Sequence, residues 1–187
     1  MDSVIEQSFY LPYATPKLQQ NMYGSVKRGI HEYVHKNQSD FENIRMAETE
    51  IEIDMGDGIR VNGRIDLVKQ VVQDGLEKTA IIDFKTANKQ VKEEINTQQL
   101  KIYALGYREL TGKTADYMEI YHLDSQNSAS DTITPDVITA VTEDIKDAAD
   151  HIRNNHLPRK CSKEKCSRCH LNYLCLGKKE QKEYVNE

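Results

Sequence analysis

The chain has 187 residues, 29% of them charged and 38% hydrophobic, with a formal net charge of -5, a length and composition that suit one well-cored domain. No apolar run approaches the ~20 residues a bilayer-crossing helix needs, and Met1–Glu6 lacks the basic and apolar regions of a secretory signal, so a cytoplasmic protein with no membrane partner is expected. The acidic balance counts against phosphate binding over the whole surface but not against local cation clusters, such as Lys85, Lys89, Lys92 and Lys101, or Lys160, Lys163, Lys165, Lys178 and Lys179.

Residues 1 to 22 hold Phe9, Tyr10 and Tyr13 and two prolines without a sustained period, and read as an extended lead-in or short helix. From about Tyr23 to Lys36, Val26, Ile30 and Val34 recur at helical spacing with Tyr23 and Tyr33, and His31 lies beside that stripe. Ala47 to Asp54 alternates, Ile51 and Ile53 on one face and Glu50, Glu52 and Asp54 on the other, as a half-buried strand does. Gly56-Asp57-Gly58 and Asp74-Gly75 are turn signals that bound a strand from Ile59 to about Val72 and another from Lys78 to Thr86, which together predict an antiparallel meander.

Residues 91 to 111 follow as a helix, with Val91, Ile95, Leu100, Ile102, Ala104, Leu105 and Tyr107 on a broad apolar face and Gly112 as its stop. Ala115 to Leu123 is a fourth strand, 124 to 134 a polar loop, and Thr134-Pro135 a helix start, with Val137, Val141, Ile145, Ala148 and Ile152 as the buried stripe. A single domain is expected, with a core over 23–155 and a tail over 156–187.

Two short strands carry unusual chemistry. Along Ile81–Thr86, Asp83 and Lys85 lie on the same side of the sheet, about 7 Å apart along the strand. An acid and a base in a buried apolar run lose stability unless something binds between them, and a divalent metal with its activated water would serve. Asp66, on the neighbouring strand, supplies a second carboxylate. Hydrolysis of a phosphodiester needs carboxylates to hold the cation and a positive side chain to orient water and stabilise the transition state.

Gly29-Ile30-His31-Glu32, Gly63-Arg64-Ile65-Asp66, Ile82-Asp83-Phe84-Lys85-Thr86 and Gln99-Leu100-Lys101-Ile102-Tyr103 resemble, in order and approximate spacing, the successive motifs of RecB-type nucleases in the PD-(D/E)XK superfamily, over roughly residues 24 to 176. The resemblance implies an α/β (α+β) restriction-endonuclease-like core, a mixed central sheet flanked by helices, with a C-terminal cysteine-cluster segment. It implies that His31, Asp66, Asp83 and the Phe84 backbone carbonyl hold Mg²⁺ or Mn²⁺, and that Lys85 is the catalytic lysine. Oxygen donors suit both metals, and an imidazole tilts the site toward manganese. Gln99 and Tyr103, four apart on a helix, shape the DNA and active-site contacts in that family. Glu50 is a possible extra acid.

Cys161, Cys166, Cys169 and Cys175 fall in a C-x4-C-x2-C-x5-C pattern, close enough to surround one inorganic centre and unlike a disulfide framework spread through a small secreted domain. Thiolates favour zinc or an iron–sulfur cluster. Cys166, Cys169 and Cys175 resemble the C-terminal trio of the iron–sulfur RecB-like nucleases found in AddB-type helicase–nucleases and CRISPR-associated exonucleases, which implies a [4Fe-4S] cluster. In those families the fourth cysteine usually lies upstream of the core. None precedes Cys161 here, so either Cys161 closes the site or a ligand from outside this sequence does. Zn²⁺ remains the alternative, with His156 and His170 as spare ligands. The expected activity is hydrolysis of DNA, as single strands or duplex ends, by a nuclease working with a helicase domain or subunit. The alternatives are a stand-alone CRISPR-associated-type exonuclease and an inactive DNA-binding scaffold, the latter opposed by the intact Asp66, Asp83 and Lys85.

Overall fold

The structure, a computed structural model, describes residues 1–85 and 93–177, with the side chains of 93–96 left aside. Thr86, Lys89, Val91, Lys92, Lys178 and Lys179, and the Ile95 side chain, lie outside the described residues. The elements run α1 (Asp2–Ser8), α2 (Pro16–Asn37), a 3₁₀ turn (Gln38–Asn43), β1 (Ile44–Asp54), β2 (Arg60–Gln73), β3 (Leu76–Lys85), α3 (Glu93–Thr111), β4 (Tyr117–His122), β5 (Asn127–Thr132), α4 (Pro135–Arg153), α5 (Lys163–Ser167) and α6 (Asn172–Cys175). By its internal contacts the chain divides into two units, Met1–Lys146 and Asp147–Glu187.

The first unit is built on a five-stranded mixed sheet in the order β1-β2-β3-β4-β5. The strands pair antiparallel except β3 with β4, which run parallel, with α3 as the crossover a parallel pair requires. Asp74 and Gly75 both take positive φ, 53° and 75°, as the tight turn joining β2 to β3 demands, and the pairing closes on Gln73 opposite Leu76. Gly112 ends α3 with φ 69° and donates its N–H to the Arg108 carbonyl at 2.8 Å.

Three sequence expectations shift. The helix expected from Tyr23 begins at Pro16, where Thr15 Oγ1 accepts the Leu18 N–H at 3.3 Å. Residues 16 to 22 are exposed, so no apolar stripe marks them and the cap alone signals the start. The loop expected over 124 to 134 contains β5, exposed along its whole length. An edge strand solvated on both faces has no reason to alternate. In α4 the buried positions are Ile138 and Val141, with Ile145 packed against the same core, whereas Ala148 and Ile152 are exposed. The Thr134 cap holds, its Oγ1 accepting the Val137 N–H at 3.3 Å.

Two apolar clusters cover the sheet. One joins Ile51, Ile53, Ile65, Val68, Ile81 and Met118 to Leu100, Tyr103, Ala104, Leu105 and Tyr107 of α3 and to Ile138 and Val141 of α4. The other packs Leu67, Ile82 and Tyr121 against Tyr33, Phe84 and Leu123. In it the Tyr33 ring stands edge-on to Phe84 and to Tyr121, centroids 5.0 Å apart in each case. Burial pushes the Tyr33 phenol up to about 12, with Tyr121 and acidic neighbours adding to the effect, so it packs as a neutral ring.

The parallel pair is clipped at its start by Asp116. Its Oδ2 accepts the Thr79 N–H at 2.9 Å and its Oδ1 takes Lys78 Nζ at 3.0 Å. Burial pushes this carboxyl up, but the Thr79 N–H and the Lys78 ammonium outweigh it and hold the group below the ordinary carboxylate range.

Gly106 sets how closely α3 lies on β1. A Cβ built there would stand 2.3 Å from Ile51 Cδ1 and 3.1 Å from Ile51 Cβ, and Ile51 is only 4% exposed, so it has little room to withdraw. Gly106→Val is expected to destabilise the protein by about 2 kcal/mol, read in urea as a lower midpoint with an unchanged slope. An unchanged midpoint would mean that the seam between α3 and β1 is looser than described.

Candidate active site

The register in which Leu67 faces Ile82 is the last pairing between β2 and β3 on the side away from their turn. Beyond it β2 stays with β1 and β3 stays with β4, so the two strands part. The Phe84 N–H, which would otherwise lose its ladder acceptor, donates instead to Asp66 Oδ2 at 2.9 Å. A backbone donor is not left empty, and the fork holds Asp66 beside Asp83.

Asp83 is the buried polar residue of the core, 1% exposed. Its Oδ2 lies 2.6 Å from Lys85 Nζ, a close ion pair, yet receives no directed hydrogen bond among the described residues. Burial pushes the Asp83 carboxyl above its ordinary value. Lys85 pulls it back down, and the nearby Asp66 charge pushes it further up.

Lys85 Nζ also donates to Gln99 Oε1 at 3.0 Å, and Gln99 Nε2 donates to the Tyr103 hydroxyl at 2.6 Å. The orientation of this amide follows from chemistry. An ammonium can only donate, so the Gln99 oxygen must face Lys85 and its NH₂ must face Tyr103. Tyr103 is 7% exposed. Burial raises its phenol first, the Gln99 bond opposes this, and the Asp66 and Asp83 charges add to the rise, so the ring stays neutral. Five of the residues singled out in the sequence thus form one continuous group, Asp66–Asp83–Lys85–Gln99–Tyr103.

His31 is placed differently. Its Nε2 lies 2.5 Å from Asp2 Oδ1 on α1, and Asp2 Oδ2 takes Lys27 Nζ at 2.7 Å. Among the described residues, no three His, Cys, Asp or Glu side chains gather closely enough to hold a metal, so His31, Asp66 and Asp83 are not one assembled ligand set. Glu50 is exposed on the outer face of β1. Asp2 is the residue that sequence reasoning missed, since a lone acid in a short first helix carries no spacing signal.

In the second unit none of the four cysteines is in a disulfide; Cys161 is half-buried, Cys166 buried, and Cys169 and Cys175 exposed. Partial burial raises the Cys161 thiol, and Cys166 and Cys175 raise it further, but among the described residues the cysteines do not gather closely enough to hold a metal. Asn172 Nδ2 donates to the Cys166 carbonyl at 3.3 Å, and Arg159 donates to the Cys175 carbonyl at 2.5 Å.

The profile of the PD-(D/E)XK nuclease superfamily matches residues 2–176. The chain belongs to this superfamily. A search of curated proteins finds no match. Among solved structures, the chain resembles a protein described as a "Putative exonuclease" from Eubacterium rectale, with TM-score 0.51, 12% identity, 94% of this chain and 71% of that one covered. It also matches the crystal structure of SSO0001, with TM-score 0.45, 18% identity, 88% of this chain and 72% of that one. The mixed sheet with flanking helices is consistent with the superfamily fold, and the forked strands β2 and β3 carry Asp66 and the Asp83-Phe84-Lys85 run.

Because burial raises the Asp83 carboxyl, the folded chain holds that proton more tightly than the unfolded chain does. The stability of the metal-free parent is therefore expected to climb as pH falls through the raised value toward the ordinary 3.8. At neutral pH Asp83→Asn removes a buried charge, so metal-free Asp83→Asn is expected to melt a few degrees above the parent. Added Mg²⁺ should stabilise the parent and not the variant. Calorimetry reads both, and a variant that melts lower without metal would show that the Asp83–Lys85 pair is net stabilising.

Proposed function

We propose that the chain is a Mg²⁺- or Mn²⁺-dependent deoxyribonuclease of the RecB-like type, acting on single strands or duplex ends and favouring exonucleolytic cleavage. The observation that carries this reading is Asp83, a carboxylate 1% exposed, with Asp66 beside it and Lys85 Nζ at 2.6 Å. Two neighbouring acids, one of them buried, repel, and a cation between them turns that cost into binding. The donor set suits a hard divalent ion, and Asp66, Asp83 and the Phe84 carbonyl would hold it; His31, the nitrogen ligand that the family resemblance adds, would first have to leave its contact with Asp2. When bound, the ion supplies Lewis-acid stabilisation of the phosphoryl oxygens and lowers the pKa of the attacking water.

The protein's own groups do the rest. Asp83 and Gln99 take up two sides of the Lys85 ammonium, leaving an N–H to meet the water or a phosphate oxygen as charge develops. Gln99 keeps that ammonium from swinging away, and buried Tyr103 keeps Gln99 in register. The Phe84 N–H fixes the Asp66 carboxylate, so its orientation is set before substrate arrives.

The cysteine segment is assigned a [4Fe-4S] cluster, with Zn²⁺ as its competitor, on the C-x4-C-x2-C-x5-C spacing. As in the helicase–nucleases whose cysteine pattern it resembles, the chain would work with a helicase domain or subunit in DNA end processing, repair or defence. The same chemistry would serve a stand-alone exonuclease in the cytoplasm.

Asp83→Ala and Lys85→Ala are each expected to lower Mg²⁺- or Mn²⁺-dependent cleavage of labelled DNA by at least about 10²-fold. A parent that binds DNA and cuts nothing would make the chain a scaffold, and variants that cut as well as the parent would move the site elsewhere. Protein purified without oxygen is expected to be brown and to lose its iron in Cys166→Ser. A colourless zinc-bearing sample would replace the cluster with a zinc site.

A further inference from the structure

The charge of the chain is divided unevenly. Residues 1–156 hold 26 acidic and 17 basic side chains, a net charge of -9. Residues 157–177 reverse this sign, with Arg159, Lys160, Lys163, Lys165 and Arg168 against the single acid Glu164, a net charge of +4. Lys160, Lys165 and Arg168 are exposed. This short stretch also carries three exposed apolar side chains, Leu171 at 60%, Tyr173 at 64% and Leu174 at 72%. Large apolar groups left in water on a small unit mark an interaction surface, and the cations that precede them in the same stretch of chain select its partner.

We infer that residues 160–174 form a docking surface for single-stranded DNA, in which Lys160, Lys165 and Arg168 meet phosphates and Tyr173 stacks on a base. The inference deepens the nuclease reading and rests on it for the identity of the nucleic acid. A strand without a partner offers phosphate charge and bare base faces together, and cations interleaved with an exposed ring match both. A duplex hides its base faces and would leave Tyr173 and Leu174 in water. A protein partner that covered the leucines would need acids to meet the cations. The acidic balance of residues 1–156 makes the local reversal meaningful, because the bulk of the chain repels a polyanion and this segment draws it.

The test uses the full chain carrying Asp83→Ala, so that DNA is bound and not cut, with a fluorescent oligothymidylate followed by anisotropy across a salt series. Lys160→Glu/Lys165→Glu/Arg168→Glu is expected to weaken binding and to lower the slope of log affinity against log salt by about 2, near 0.7 for each phosphate contact of a single strand. Tyr173→Ala should lose about tenfold in affinity with the slope unchanged, and Tyr173→Phe, which keeps the ring, should bind as the parent does. All replaced residues are exposed, and matching melting curves would exclude a folding defect.

In the otherwise wild-type chain, hydrolysis of a chromogenic phosphodiester too small to span the surface should be unchanged by the triple replacement. Triple and Tyr173 variants that bind oligothymidylate like the parent, or a parent that prefers duplex or binds neither, would overturn the inference. A parent that binds through these residues yet hydrolyses neither DNA nor the small ester would instead overturn the nuclease reading and leave the docking surface standing.

Discussion

Everything at the site depends on one bond, the donation of the Phe84 N–H to Asp66 Oδ2 at 2.9 Å. Where β2 and β3 stop pairing, two costs arise together: a backbone donor loses its partner and a carboxylate is drawn out of bulk water. Each group satisfies the other. The strands can therefore fork without an orphaned donor, and the fork is what gives Asp66 and Asp83 a common neighbourhood. Phe84 is held from its other side by the edge-on ring of Tyr33, so α2 contributes to the site through packing.

The site is acidic in its inner part and cationic at its rim. Asp83 is nearly sealed, whereas the Lys85 side chain is 27% exposed, and the lysine spans the boundary with its stem along the strand and its ammonium against the acid. Such a pair is a poor stabilising device, because desolvation offsets much of the Coulomb attraction. An ion pair reaching into an otherwise uncharged core is easier to understand as a functional feature held at some cost in stability.

Much of this could be read from the residues in order. The alternation of Ile51 and Ile53 with Glu50 and Glu52, the Asp74-Gly75 turn and the Thr134-Pro135 start each carry their own physical signal, and the sheet and α4 follow from them. Asp83 and Lys85 were legible because period-2 geometry leaves them no choice of face. The start of α2 and the existence of β5 were harder, since both are solvated and burial leaves no imprint on their sequences. The tie between His31 and Asp2 was out of reach for another reason. It joins residues 29 positions apart through an exposed contact, which no local pattern encodes.

The placing of Asp83 and Lys85 two apart on one strand has a consequence for how the protein can change. Their spacing is set by covalent geometry and the pleat, so it survives any substitution that leaves β3 a strand. Gln99 and Tyr103 enjoy no such insulation, because they reach the site from α3, whose height above the sheet depends on the bare Cα of Gly106. The chemistry is therefore written in a few adjacent letters while the tuning is distributed through the core. A substitution that repacks α3 would therefore move Gln99 and Tyr103 while leaving the Asp83–Lys85 spacing intact.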